Sequence, residues 1–161
     1  MNTFPWFGSQ NGTYQIMASL TSHRLGNTRD VIVYLPPSYS ENTLKRYSNV
    51  IVMHDGQNLF NDSTSFAGIA WNIQNAIDSL TVNGVMQEVI VVGLYNTPNR
   101  DNEYTYSKDP SEGFGGEGGK YIDWIEAAVI PWANKNLRIN ATKYGMIGSS
   151  LGGLISCYAG W

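Results

Sequence analysis

Gly148-Ser149-Ser150-Leu151-Gly152 sets a serine between two glycines, each two positions away. This is the G-x-S-x-G pattern of a nucleophile presented on a sharp bend between a strand and a helix. The chemistry it offers is acyl transfer, in which the hydroxyl attacks an ester carbonyl and backbone N–H groups hold the resulting oxyanion. The surroundings fit, because residues 143–147 read as a short strand and 154–161 as the start of a helix. A side chain at 148 or 152 would crowd so tight a turn, which accounts for both glycines. A helix N-terminus behind the serine favours negative charge. The plainer reading of the same residues is a Gly/Ser turn that joins a strand to a helix.

An oxyanion hole needs two N–H groups aimed at one point. One belongs to the residue after the nucleophile, Leu151. The other comes from the loop after the third strand, where His54-Asp55-Gly56-Gln57 lies. Gly56 is expected to let the backbone turn, and the Gln57 N–H is the candidate second donor. An ordinary strand-to-helix turn is the alternative for Gln57.

A serine of this kind is followed in the chain by an acidic residue and then a histidine. Only eleven residues follow Ser150, and none of them is acidic or His. The two histidines, His23 and His54, both precede it. His54 is expected to order its loop by hydrogen bonding and His23 to lie on the surface of a hairpin. Without a base, the Ser150 hydroxyl is a poor nucleophile. The expectation is therefore a single partial domain, 1–161, with the acidic residue and His of the triad downstream. A fragment, a truncated gene model and a split product would all read this way. An end at Trp161 would leave the 143–147 strand as an exposed apolar edge.

The elements that must position these residues follow from hydrophobic patterning. Residues 14–20 and 30–35 read as strands, the second stopped by Pro36-Pro37, and they suit an antiparallel lead-in hairpin. NVIVM (49–53) and EVIVVGL (88–94) are continuous apolar runs, as expected of strands buried on both faces of a parallel sheet. Phe66, Ile69, Ala70, Ile73, Ile77 and Leu80 form one helical stripe, with N-caps offered by Ser63, Thr64 and Ser65 and a stop by Asn83-Gly84. A polar loop over 95–119 precedes a second helix carrying Ile122, Ile125, Val129 and Trp132, which Pro131 is expected to kink. Strands alternating with helices indicate an α/β class.

HDGQNLFND (54–62), NRDNEYTY (99–106), GGEGGKYIDWIEAAVIPW (115–132) and GMIGSSLGGL (145–154) occur in order along the chain. Together, from about Thr28 onward, they resemble the Putative esterase family, which includes esterase D, enterochelin-type esterases and feruloyl or acetyl-xylan esterases. The resemblance implies an α/β-hydrolase-type, mostly parallel sheet flanked by helices, here truncated after the nucleophile elbow. It implies cofactor-free ester hydrolysis with Ser150 as nucleophile, and supports Gln57 and Leu151 as oxyanion donors. Asp101, Glu103 and Tyr104 match a block beside the active site of such proteins and are expected to be structural or substrate-lining.

Other candidates fail their own context. Gly113-Phe114-Gly115-Gly116-Glu117-Gly118 matches G-x-G-x-x-G but follows no strand, so it reads as a loop and helix entry. Gly119-Lys120 lacks the remainder of a P-loop. Asp55, Asn58 and Asp62 are read as capping and turn residues, and no metal site is expected. Cys157 reads as a core residue; as the single cysteine it excludes an internal disulfide and a Cys-based zinc site. Sequons at Asn11, Asn61 and Asn140 are attributed to chance. The ten tyrosines and five tryptophans serve packing, or a platform for sugar or aromatic acyl groups.

Apolar residues at 42% and charged residues at 14% describe a globular chain. A net charge of -3 without a basic stripe argues against nucleic acid as a partner. No run is long enough for a membrane span, and Met1-Asn2-Thr3-Phe4-Pro5-Trp6 is not a secretory leader. The expected function is a serine carboxylic-ester hydrolase acting on a small-molecule or carbohydrate-linked ester through an acyl-enzyme. The alternative is an inactive hydrolase-like module that binds a glycan or a protein.

Overall fold

The computed structural model describes residues 8–160, so the reading of Met1–Trp6 lies outside the described residues. The five described strands are β1 (Thr13–Ser22), β2 (Asn27–Leu35), β3 (Val50–His54), β4 (Ile90–Leu94) and β5 (Gly145–Ile147). They form one sheet in the order β1-β2-β4-β3-β5. β1 and β2 make the expected antiparallel hairpin, with a bulge between Ile16 and Ala18. β2 joins β4 antiparallel, whereas β3 pairs in parallel with both β4 and β5. The sheet is thus mixed: parallel where it carries the candidate site and antiparallel on the hairpin side.

The continuous apolar runs have a direct cause, since both faces of the central strands are covered. On one face Val31, Val33, Val50, Val52, Ile90, Val92 and Leu94 pack against Trp124, Ile125, Val129, Ala133 and Ile155. On the other, Ile32, Tyr34, Met53 and Val91 pack against Leu59, Phe60 and Ile77. Burying one such aliphatic side chain is worth about 1.5–3 kcal/mol, so the register is strongly specified. The helices on these faces include α2 (Ile73–Val82), α4 (Gly118–Trp124), α5 (Ile130–Asn136) and α6 (Leu151–Gly160), while α1 (Ser38–Glu41) and α3 (Arg100–Glu103) are single turns.

The first long helix begins later than its apolar stripe predicts. Phe66 and Ile69 are 94% and 70% exposed, and α2 starts only at Ile73. Asn58 Oδ1 accepts the Phe66 N–H, Asp62 Oδ1 accepts the Ala70 N–H, and Asn61 Oδ1 accepts the Ser63 N–H. These side chains give the backbone an alternative to the helical ladder. The expected role of Asn58 and Asp62 as turn residues therefore holds, at the expense of the expected helix start.

The second helix also differs in detail. A π-helical turn (Ile125–Val129) joins α4 to α5, and Pro131 follows at once. Proline has no N–H to donate and its ring crowds the carbonyl four residues back. A widened turn thus stands just before Pro131, where the sequence suggests a kink. Cys157 is exposed on α6, where the buried positions are Gly152 and Ile155, so it is not a core residue. Gly113, Gly115 and Gly116 all have positive φ in the loop before α4. Among the described residues, no helix is long and apolar enough to cross a membrane.

Candidate functional site

Ser150 lies between the end of β5 and the first residue of α6, with φ at 56°. A non-glycine residue in this left-handed region carries about 1–3 kcal/mol of strain and persists only when its surroundings enforce it. Here the enforcement is close backbone approach. A Cβ on Gly148 would lie 2.4 Å from the carbonyl carbon of Gly152. A Cβ on Gly152 would meet Asp55 Oδ2 and His54 Cβ at 3.3 Å. The Gly152 N–H donates to the Ser149 carbonyl, and those of Gly153 and Leu154 to the Ser150 carbonyl. Ser150 is exposed, at the N-terminal end of the ten-residue helix α6.

The loop after β3 comes up beside this turn. Asp55, like Ser150, is a non-glycine residue with positive φ, at 57°, and a 3-10 turn (Gly56–Asn58) follows. The left-handed residue is thus Asp55 and not Gly56, as the sequence suggests. Gly56 is required for another reason, because a Cβ there would lie 2.9 Å from the carbonyl carbons of Gly93 and Leu94. The Gln57 side chain accepts the Asn96 N–H at 3.2 Å, and the Gln57 carbonyl accepts the Thr64 hydroxyl at 2.6 Å. Among the described residues, the N–H groups of Gln57 and Leu151 have no hydrogen-bond acceptor.

His54 is fully buried beneath the turn. Its Nδ1 is 2.9 Å from the Tyr121 hydroxyl, and its Nε2 has no partner among the described residues. Burial lowers its pKa to about 4, although the neighbouring Asp55 charge pulls the other way. His54 is therefore neutral at pH 7, and the bond its ring makes ties the end of β3 to Tyr121 of α4. His23 is exposed at the tip of the β1–β2 hairpin.

The block at 99–106 holds the loop from the side. Arg100 Nε donates to Asp55 Oδ1 at 2.7 Å and its Nη2 to Asp55 Oδ2 at 2.8 Å. Asn96 Nδ2 adds a third bond to Asp55, at 2.7 Å. Arg100 Nη2 also reaches the Ser149 carbonyl at 3.5 Å. The Asp55 carboxylate raises the Arg100 pKa further, so the guanidinium stays charged. Tyr104 is buried, and its hydroxyl oxygen accepts the Asp55 N–H at 3.3 Å. Glu103 is buried against Arg29, with N–O distances of 2.9 and 3.0 Å, while Asp101 is exposed. Asn96 and Arg100 are the residues that sequence reasoning missed. No local pattern marks Arg100, because its partner Asp55 lies 45 residues away in the chain.

Beside α6 lies a cleft of about 640 Å³, lined among others by Tyr106, Phe114, Leu154, Cys157 and Tyr158. Tyr106 and Tyr158 stack within it at 4.4 Å between ring centroids.

A parallel α/β core with a left-handed serine between strand and helix is the arrangement of an α/β hydrolase. The chain belongs to the family described as Putative esterase, whose model matches residues 22–160. It is 33% identical over 148 residues to the uncharacterized protein YbbA of Bacillus subtilis (strain 168), covering 88% of this chain and 54% of that one. Among solved structures it is similar to an IroE-like serine hydrolase from Shewanella oneidensis, with a TM-score of 0.70 and 25% identity over 92% of this chain and 45% of that one. It also shares its fold with the siderophore hydrolase EstB from Aspergillus nidulans, with a TM-score of 0.66 and 20% identity over 88% of this chain and 50% of that one. The chain thus spans about half the length of these relatives.

Proposed function

We propose that this chain carries the nucleophile and oxyanion hole of a serine carboxylic-ester hydrolase. Ser150 attacks the ester carbonyl, and the Leu151 and Gln57 N–H groups hold the oxyanion as it forms. The alcohol leaves, an acyl-serine remains, and water releases the acid. The observation that carries this reading is the positive φ of Ser150 at the head of α6, whose first turn packs against the Asp55 loop that carries Gln57. Family membership supports it independently.

In this reading the proton acceptor is a histidine that is not among these 161 residues, oriented by an acidic residue that is not among them either. His54 cannot take the role, because it is buried, holds Tyr121 and makes no bond to Ser150. The half-length match to relatives supports this division of the catalytic groups. The substrate is a small-molecule or carbohydrate-linked ester.

The test is hydrolysis of p-nitrophenyl butyrate by the protein expressed from its own gene, with Ser150→Ala as control. Turnover lost in the variant supports the reading. A folded protein that turns over no ester and binds a glycan or protein instead would replace it with the binding-module reading.

A further inference from the structure

Both non-glycine residues with positive φ beside the site, Asp55 and Ser150, lie next to atoms held by one side chain. Arg100 grips both carboxylate oxygens of Asp55, at 2.7 and 2.8 Å, and its Nη2 also faces the carbonyl of Ser149. Its guanidinium lies over the ring of Tyr104 at 4.8 Å, and the Tyr104 hydroxyl takes the Asp55 N–H. Cation, ring and carboxylate thus close around a single backbone turn. Arg100 is itself fixed from behind. It opens the one-turn helix α3, which ends at Glu103, and Glu103 is held by Arg29 and Asn27 of β2. A path of rigid contacts therefore runs from β2 through α3 to the loop before Gln57 and to the turn before Leu151.

We propose that Arg100 is a positioning residue that sets the separation of the Gln57 and Leu151 N–H groups by tying the Asp55 turn to the Ser149 carbonyl. The inference rests on the esterase reading of those two donors. Arginine suits the task because its planar fork fixes direction as well as charge, which a lysine ammonium does not. The side chain is about one-quarter exposed, so the core does not depend on burying it. A misplacement of a catalytic donor by ~1 Å costs roughly a hundredfold in rate. A hole set by Arg100 is felt only as charge builds on the carbonyl oxygen, so its loss falls on kcat and not on KM.

The experiment compares Arg100→Met, Arg100→Lys, Asp55→Asn and the double variant Arg100→Met/Asp55→Asn, in the protein expressed from its own gene, on neutral p-nitrophenyl butyrate. Arg100→Met is expected to lower kcat about a hundredfold with KM changed by less than about threefold. Arg100→Lys is expected to recover little of it, and the double variant to be no worse than either single one. A kcat loss under about threefold, a loss lying wholly in KM, or additive losses would overturn the proposal. Should the wild type hydrolyse no ester, the esterase reading falls by itself. Hydrogen exchange over segments 54–58 and 148–152 then decides the positioning role. Faster exchange in both segments of Arg100→Met, beyond any change in the β1–β2 hairpin, supports it, and unchanged exchange in either segment overturns it. Circular dichroism of each variant excludes simple misfolding, and Arg100→Lys serves where Arg100→Met does not fold.

Discussion

The one-turn helix α3 contributes to two arginine–carboxylate pairs that look alike and sit in different places. Glu103 meets Arg29 in the core, where their side chains are 0% and 1% exposed, and the guanidinium lies over the Trp124 ring at 4.6 Å. Arg100 meets Asp55 at the edge, where the arginine remains about one-quarter exposed. The inner pair joins β2 to α3 and helps to hold the fold. The outer pair joins two strained turns and touches the backbone next to Ser150. The same ion-pair chemistry thus serves anchoring in one place and aiming in the other, and the exposure of the arginine is what separates the two. Removing Glu103 leaves a guanidinium without a carboxylate in the core, whereas the Asp55 carboxylate, itself only 2% exposed, keeps its Asn96 bond when Arg100 is removed.

That contrast sets an order of effects. Glu103→Leu strands a buried guanidinium and is expected to cost about 3–5 kcal/mol, read from urea denaturation midpoints. Arg100→Met should cost less, about 2–3 kcal/mol, because Asn96 still bonds the buried Asp55 carboxylate. Equal losses would remove the distinction between anchoring and aiming.

His54 sharpens the comparison through pH. Its folded pKa of about 4 lies below the ordinary histidine value of 6.5, so the unfolded chain binds this proton more readily. The associated stability is present in full above pH 6.5 and is lost as pH falls toward 4, by up to about 3 kcal/mol. His54→Phe should flatten that slope in a pH series of denaturation curves. An unchanged slope would mean that the burial of His54 is not what sets it. The smallest effect is expected at Asp101, which is exposed and 3.9 Å from Arg100. Asp101→Ala should shift stability by less than about 0.5 kcal/mol, and a larger shift would show that α3 relies on more than its two pairs.

What was legible in the sequence was whatever depends on local pattern. NVIVM and EVIVVGL announced β3 and β4 because strands covered on both faces need apolar side chains at successive positions. The turn around Ser150 was legible because only glycine tolerates the approach between 148 and 152. The start of α2 was not, since Asn58, Asn61 and Asp62 divert backbone N–H groups that the apolar stripe alone assigns to a helix. Nor was the exposure of Cys157, which depends on which side of α6 meets the sheet. Arg100 escaped notice because its partner lies 45 residues away, a pairing that only the fold creates.

The most direct test of the account is the site of covalent capture by a fluorophosphonate in the protein expressed from its own gene. Tandem mass spectrometry should find one phosphonyl group on Ser150, absent from Ser150→Ala. A folded wild type that gains no adduct, or carries it on another residue, would contradict the assignment of Ser150 as nucleophile.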